Sequence, residues 1–176
     1  MNNHTKIFGE ASTILEIKKK EIILEMGEVE NYLSFIIKGS VVIITYHNGN
    51  EICIGFSIEN SFFSSYVSFL TRKSSQYQVV ALEDTTIERI DFESLQVGYS
   101  LSAYHQEKGR KIAEQLYIKG SQRAFSLITK TAEERYLEFI ETYPNLLQRI
   151  PLKYVASYLG VTPVSLSRIR NKIAKH

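Results

Sequence analysis

The residues best suited to chemistry in this sequence lie near its end, in the stretch SYLGVTPVSLSRIR. Arg168 and Arg170 fall on one predicted helix, with two serines before them and a lysine after them. Guanidinium groups bind phosphates, and an arginine can also make a paired contact with guanine. The pattern therefore favours recognition of double-stranded DNA. The candidate DNA-binding residues are Thr162, Val164, Ser165, Ser167, Arg168, Arg170 and Lys172.

The elements that would position these residues are two short helices joined by a tight turn. If the first helix begins at Leu152, Ala156 lies where the helices cross and only a small side chain fits. Gly160 then supplies the left-handed backbone that the turn requires. Thr162 caps the second helix, and Pro163 occupies its first position, where a missing N–H costs nothing. This combination is typical of a helix-turn-helix. The residues expected between the two helices are Val155, Leu159, Val161, Leu166 and Ile169.

Different roles are expected for the basic residues of the second helix. We assign Arg168 to a base contact. Arg170, Lys172 and Lys175 are assigned to phosphates, which position a protein on DNA without specifying sequence. The alternative is a helical hairpin whose basic face is merely solvated.

The distribution of charge along the chain also favours a polyanionic partner. The net charge is only +2, yet residues 1–100 carry five more acids than bases, and residues 121–176 carry five more bases than acids. Residues 149–176 contain six lysines and arginines and no acid. A basic end on an otherwise acidic protein suggests a polyanion, although a solvated tail would have the same composition.

Composition excludes several classes of protein. The apolar runs are too short to span a bilayer, and the first ten residues do not resemble a signal peptide, so we expect a cytoplasmic protein with no membrane partner. The single cysteine, Cys53, excludes an internal disulfide and a cysteine-ligated metal or iron–sulfur site within one chain. We expect no metal and no cofactor. The histidines are scattered and are interpreted as surface residues: His4, His47, His105 and His176.

The first half of the chain has the pattern of short strands. Between Ile14 and Ile90, runs rich in β-branched and aromatic residues alternate with turn signals such as Asn48-Gly49. Many short strands without intervening helices predict an antiparallel barrel or sandwich. The serine-rich stretch 60–75 interrupts this rhythm, and a short helix is expected to begin near Ser64.

Helical patterns follow Asp91, which is expected to cap a short helix. Residues at intervals of three and four then form a stripe that predicts a long helix over 101–128, and this stripe is broken near Gly120. Its stripe is interpreted as a dimer seam, with covering of the barrel as the alternative: Leu101, Tyr104, Lys108, Ile112, Leu116, Arg123 and Leu127.

A capping box at Thr131 and Glu134 begins a further helix, which stops before Pro144. The side chains expected to point inward from it are Tyr136, Leu137, Phe139, Ile140 and Tyr143. We therefore predict three parts: a β-domain at 1–99, a dimerisation helix and hinge at 100–130, and a DNA-binding domain at 131–176.

Over nearly its whole length the sequence resembles the Crp/Fnr family of bacterial transcription regulators. The resemblance rests on GEVENYLSFIIKGSVVI for the early strands, on ENSFFSSYVSFLTRKSSQYQVVALEDTTIERI for the ligand cassette, and on IPLKYVASYLGVTPVSLSRIR for the helix-turn-helix. It implies an α+β protein with an antiparallel, cyclic-nucleotide-binding-like β-roll, a long dimerisation helix and a helical DNA-binding domain. The implied partners are a palindromic DNA site, a second copy of the chain, a small-molecule effector and RNA polymerase.

Three departures from the family pattern change these expectations. Ser65 and Ser75 stand where cyclic-AMP-binding members carry the ribose-binding glutamate and the phosphate-binding arginine, so cyclic AMP is not expected to bind. Val164 replaces a frequent glutamate and could contact a thymine methyl. No β-wing is expected after the recognition helix. The candidate effector pocket comprises Ser64, Ser65, Tyr66, Ser74, Ser75 and Gln76, and it either holds another small molecule or is a filled relic.

Other functions compete with this interpretation. A cupin-like enzyme would need clustered histidine and carboxylate ligands, and His47 is the only histidine in the predicted barrel, so no enzyme activity is expected. A β-roll that serves as an interaction or small-molecule-binding module would not need Arg168 and Arg170 for nucleic acid. A constitutive regulator would bind DNA without any effector.

Overall fold

The computed structural model describes residues 6–174. The chain divides into two compact units. The first comprises the chain up to Ile43 together with Phe56–Tyr117. The second comprises Ile44–Gly55 together with the chain from Ile118 onward.

Eight antiparallel strands form two four-stranded sheets, with the orders β1-β8-β3-β6 and β2-β7-β4-β5. The strands are β1 Thr13–Ile17, β2 Ile22–Leu24, β3 Tyr32–Lys38, β4 Ser40–His47, β5 Asn50–Ile58, β6 Phe62–Phe63, β7 Gln78–Ala81 and β8 Thr85–Asp91. The predicted antiparallel β-domain is confirmed. Its core contains fully buried residues from both sheets, among them Ile36, Val41 and Ile87.

Two turns show why particular residues are needed. Asn48 and Gly49 both have positive φ, 50° and 78°, which matches the twist of a two-residue hairpin between β4 and β5. Gly39 joins β3 to β4 with φ of 95°, and a Cβ there would lie 2.7 Å from the Cα of Thr85. A side chain at residue 39 would therefore meet both an unfavourable backbone conformation and a backbone clash.

Residues 6–174 also contain six α-helices and one 3-10 turn at Leu146–Gln148. They are α1 Tyr66–Thr71, α2 Phe92–Leu101, α3 Ala103–Thr129, α4 Ala132–Thr142, α5 Leu152–Tyr158 and α6 Pro163–Ile173. Asp91 caps α2, and the capping box of Thr131 and Glu134 at α4 is present in full, as predicted. Within residues 6–174, no helix is both long and apolar enough to cross a bilayer.

Helix α3 continues without interruption through Gly120. The residues of its predicted stripe lie in different surroundings. Ile112 is 4% exposed and packs with Leu116 in the core of the first unit, whereas Leu101 and Tyr104 are largely exposed. The middle of the stripe therefore covers the β-domain.

Helix α4 buries a narrower face than expected. Tyr136 and Phe139 are buried, Ile140 and Tyr143 are half-buried, and Leu137 is 44% exposed. The prediction that Leu137 points inward is wrong, because its position is rotated by about 100° along the helix from that of Tyr136.

Candidate nucleic-acid interface and effector pocket

The turn between α5 and α6 has the geometry of a helix-turn-helix. Gly160 has φ of 68°, as predicted. The N–H of Val161 donates to the carbonyl of Ala156 at 3.0 Å and so closes the end of α5. The hydroxyl of Thr162 accepts the N–H of Ser165 at 3.2 Å, with Pro163 at the start of α6. Gly160 thus adopts the backbone conformation that the turn needs, and the two hydrogen bonds pair backbone N–H groups at the ends of the helices.

The inner face of the motif is tightly packed. Val155, Ala156 and Leu159 have no exposed surface, and Leu166 is 1% exposed. Val161 and Ile169, which were also predicted to be buried, are half-buried. Because these residues hold the two helices against each other, the orientation of the outer face of α6 is fixed by the core of the motif.

The outer face of α6 presents most of the predicted DNA-binding residues to solvent. Val164 is 62% exposed, and Ser167, Arg168 and Arg170 are exposed. Among the described residues neither arginine has an ion-pair partner. Ser165 is half-buried, and its hydroxyl lies 3.0 Å from that of Thr162, so the polar groups of these two residues serve the cap.

Among the predicted contact residues that the structure describes, Lys172 alone already has a charged partner. Its ammonium lies 2.6 Å from a carboxylate oxygen of Glu133, and both side chains are partly exposed. Exposed pairs of this kind contribute about 1 kcal/mol or less, so a phosphate could replace the carboxylate. Lys175, His4 and His176, which also figured in the predictions, lie outside the described residues.

The tip of the β4–β5 hairpin packs on α5 within the second unit. The N–H of Cys53 donates to the hydroxyl of Ser157 at 2.8 Å, and Lys153 lies 3.1 Å from Glu51. The hydrogen bond to Glu51 raises the pKa of Lys153. Cys53 is buried, and burial raises the pKa of its thiol.

The cassette brings together the two serines that replace the family's ribose and phosphate ligands. Ser65 and Ser75 are 2% and 3% exposed, and their hydroxyl oxygens are 2.7 Å apart. The hydroxyl of Ser75 also accepts the N–H of Tyr77 at 3.0 Å. Both hydroxyls are therefore engaged inside the protein.

A surface pocket of about 360 Å³ lies beside these serines. Four of the six predicted pocket residues line it: Ser65, Ser74, Ser75 and Gln76. The other two predicted residues, Ser64 and Tyr66, do not line this pocket. Ser64 donates to the carbonyl of Tyr32 at 3.0 Å, and the ring of Tyr66 stacks on Phe69. Assigning those two residues to the pocket was wrong, because their side chains pack against the β-domain.

A buried carboxylate near the pocket was missed in the sequence. Glu30 is 6% exposed and accepts the N–H groups of Tyr32 and Ser65, at 2.9 and 3.3 Å. Burial raises its pKa. Arg72 ends α1 and donates to the carbonyl of Glu30 at 2.8 Å, while its guanidinium covers the Phe92 ring. A glutamate just before a strand is not expected to be buried from the sequence alone. The burial of Glu30 results from the packing of α1.

The described residues offer little for metal chemistry. Within residues 6–174, no group of three or more histidine, cysteine, aspartate or glutamate side chains converges to hold a metal ion.

Comparison with known proteins identifies the fold. Residues 14–97 match the family model of the cyclic nucleotide-binding domain. FixK2 from Bradyrhizobium japonicum aligns over 93% of this chain and 85% of its own, with 18% identity and a TM-score of 0.81. The c-di-GMP-responsive global regulator CLP from Xanthomonas campestris aligns over 94% and 87%, with 17% identity and a TM-score of 0.73.

A protein from Eubacterium rectale assigned to the Crp/Fnr family of transcriptional regulators aligns over 93% of this chain and 78% of its own, with 16% identity and a TM-score of 0.71. No curated protein matches the chain in sequence. The β-domain is therefore of the cyclic nucleotide-binding class. The chain as a whole has the fold of a Crp/Fnr-type regulator, which confirms the resemblance seen in its sequence.

Proposed function

We propose that this protein is a homodimeric transcription regulator of Crp/Fnr type that binds a palindromic DNA site through α6. The observation that carries the proposal is the outer face of α6, where Arg168 and Arg170 are exposed and lack carboxylate partners among the described residues. A capped recognition helix on a packed helix-turn-helix can enter the major groove with its early residues at base edges.

The residues of α6 divide into base-reading and phosphate-binding groups under this proposal. Arg168 reads a guanine, which contributes about 1–3 kcal/mol of discrimination. Val164, exposed in the first turn, contacts a thymine methyl, and Ser167 donates to a base or a phosphate. Arg170 and Lys172 bind phosphates, with Lys172 exchanging Glu133 for the DNA backbone. Thr162 and Ser165 act through the cap that orients the helix.

The surface of α3 supports dimerisation. Three exposed apolar residues recur at intervals of seven and three: Ile118, 50% exposed, Phe125, 65% exposed, and Ile128, 84% exposed. Tyr117, which is 76% exposed, adjoins them. Intervals of three, four and seven place residues along one side of a helix, and such a seam is buried when two helices pair. A dimer would present two copies of α6 about 34 Å apart, the spacing of successive major grooves.

The cassette supports independence from cyclic AMP. A cyclic phosphate at Ser75 would meet a hydroxyl already bonded to Ser65, with the buried carboxyl of Glu30 close by. Arg72 turns its guanidinium toward the Glu30 backbone, and among the described lining residues only Lys73 is cationic. A buried phosphate without a cationic partner is poorly compensated. An effector of this pocket would therefore be uncharged or weakly charged.

The proposal is tested by selecting bound fragments from sheared genomic DNA at one near-physiological salt concentration, because phosphate contacts make affinity salt-dependent. Wild-type protein is compared with Arg168→Ala, and with Arg110→Ala as a matched control on the exposed surface of α3. We expect an inverted repeat that wild type and Arg110→Ala enrich and Arg168→Ala does not. Equal enrichment by all three proteins would remove Arg168 from the interface. No enrichment with or without cell metabolites would favour an interaction module.

A further inference from the structure

A second cluster of cationic side chains lies away from the DNA-binding face, where α3, α4 and α5 meet inside the second unit. It surrounds a pocket of about 80 Å³. Lys119 and Arg123 enter the pocket from successive turns of α3, and Arg135 enters it from α4. Tyr158 and Leu159, at the end of α5, form the opposite wall. None of these residues has a role in the function proposed above.

The positive charge of this pocket exceeds its negative charge. Glu138 is the only carboxylate among the described lining residues. Its oxygens are already engaged, since one lies 2.6 Å from the hydroxyl of Ser126 and the other 3.0 Å from the ammonium of Lys130. Among the described residues, Glu138 forms its ion pair with Lys130 and not with Arg123 or Arg135. Groups of like charge in a partly buried site raise the free energy of the protein unless an anion joins them.

Arg123 has donors that the described protein groups leave unused. Its guanidinium stacks over the ring of Tyr158 at 3.8 Å, which occupies one flat face of the group and does not use the N–H donors at its edge. Arg135 donates Nε–H to the carbonyl of Leu159 at 2.9 Å and one further N–H to the carbonyl of Lys130. A guanidinium has five N–H donors, so three of those on Arg135 remain.

Burial changes the ionisation of the cluster. Burial lowers the pKa of Arg123, and the nearby charge of Arg135 lowers it further. Burial also lowers the pKa of Lys119 to about 8. The titratable groups that line the pocket with Lys119 are Arg123 on its own helix, Arg135, Glu138 and Tyr143 on or just after α4, and Tyr158 on α5. An anion bound among them would favour the charged form of Lys119.

We propose that this pocket is a binding site for a small oxyanion, either inorganic phosphate or the phosphate group of a small metabolite. A pocket of about 80 Å³ has room for a group of the size of a tetrahedral oxyanion. Arginine pairs suit phosphate because their planar N–H groups form two parallel hydrogen bonds. The bound anion would join α3, α4 and α5.

The first test is a titration of the full chain with inorganic phosphate, with sodium chloride keeping ionic strength constant. We expect saturable binding by calorimetry and a rise in Tm that chloride does not reproduce. Arg123→Gln should weaken binding by about ten- to a hundredfold, since it removes charge-assisted hydrogen bonds. Arg110→Gln, an exposed arginine of the same helix, should bind like wild type. If Arg123→Gln fails to fold, Lys119→Gln takes its place with the same expectation.

The second test uses sulfate, which does not titrate near pH 8, so that any proton exchanged comes from the protein. Calorimetry at pH 8 in two buffers of different ionisation enthalpy should show uptake of roughly half a proton on binding, because Lys119 is about half protonated in the empty pocket. The uptake should disappear in Lys119→Met. Uptake that persists in that variant would show that another group responds, and the assignment of Lys119 to the site would be withdrawn.

A third measurement separates the two sources of the anion. Glycerol 3-phosphate binding at least about tenfold more tightly than inorganic phosphate would identify a metabolite phosphate, because only its carbon part differs. Equal affinity would identify inorganic phosphate as a sufficient ligand. No saturable binding of either compound, or binding unchanged by both Arg123→Gln and Lys119→Gln, would overturn the proposal. These measurements contain no DNA, so their outcome is independent of the DNA-binding proposal.

Discussion

Glu88 shows how one residue can organise a segment far away in sequence. Its carboxylate is 1% exposed and accepts the N–H groups of Ile7 and Phe8, both at 2.7 Å, and the hydroxyl of Ser12 at 2.6 Å. Three donors offset much of the cost of burying the charge. The carboxylate of Glu88 thus binds residues 7–12 to β8.

Glu88→Ala should destabilise the protein by about 3 kcal/mol, because the variant leaves the two backbone N–H groups of Ile7 and Phe8 without their acceptor and opens a cavity. Urea unfolding at one fixed protein concentration measures the change. Glu16→Ala, an exposed carboxylate on β1, is the control and should change stability by about 0.5 kcal/mol or less. Equal effects of the two substitutions would mean that the N-terminal segment is not held by Glu88.

Lys119 predicts a specific pH dependence of stability. Its folded pKa of about 8 lies below the ordinary value of 10.5, so between these two pH values the unfolded chain binds more protons than the folded chain. Wild-type stability relative to Lys119→Met should therefore rise as pH increases from 8 to 10.5, with wild type at its greatest disadvantage below pH 8. Urea unfolding in chloride buffers at pH 7, 9 and 10 tests this. A difference that does not vary with pH would contradict the lowered pKa.

At the scale of elements, the continuity of α3 matters most. The helix passes through Gly120, whose added Cβ would meet no atom within 4 Å. The C-terminal part of α3 is also tied to α4, because Ser126 and Lys130 both contact Glu138. A hinge between Gly120 and Thr131 remains a prediction. Movement at such a hinge would break these contacts.

Gly120→Ala tests that continuity directly. In an uninterrupted exposed helix the substitution should stabilise the protein by about 0.5–1 kcal/mol, because alanine loses less backbone freedom on folding. Gly160→Ala is the opposite case, since its φ of 68° should make alanine cost about 1–2 kcal/mol. Both are measured by urea unfolding. A loss of stability in Gly120→Ala would indicate a backbone there that is not helical.

At the scale of the whole molecule, the function depends on whether the exposed apolar side of α3 pairs with a second copy. Ile118, Phe125 and Ile128 expose large apolar surfaces that a monomer would leave in water.

The double substitution Ile118→Glu and Phe125→Glu should produce a folded monomer, because four carboxylates would face one another across the seam. Sedimentation velocity measures the assembly, and the affinity for the selected palindrome should fall by at least about a hundredfold. Leu70→Glu, an equally exposed apolar position on α1, should remain dimeric. A double variant that stays dimeric would place the interface elsewhere.

The sequence by itself determined the features that depend on local chemistry. Thr162, Pro163 and Gly160 specify a cap, a helix start and a left-handed turn through their own backbone preferences, and Asn48-Gly49 specifies a hairpin in the same way. These features therefore appear in the structure where the sequence places them. The strands of the β-domain were predicted for a similar reason, since alternation and turn residues are short-range patterns.

Only the tertiary structure decided which surfaces meet. Alternation along β8 places the side chains of Glu88 and Ile87 on opposite faces of the sheet. Nothing in that pattern shows that residues 7–12 cover Glu88. Likewise, Ile112 and Leu116 look like part of a dimer seam until the β-domain packs on them. The cationic pocket at Arg123 joins residues from three helices. Such contacts depend on the packing of elements distant in sequence, which local propensity and periodicity do not specify.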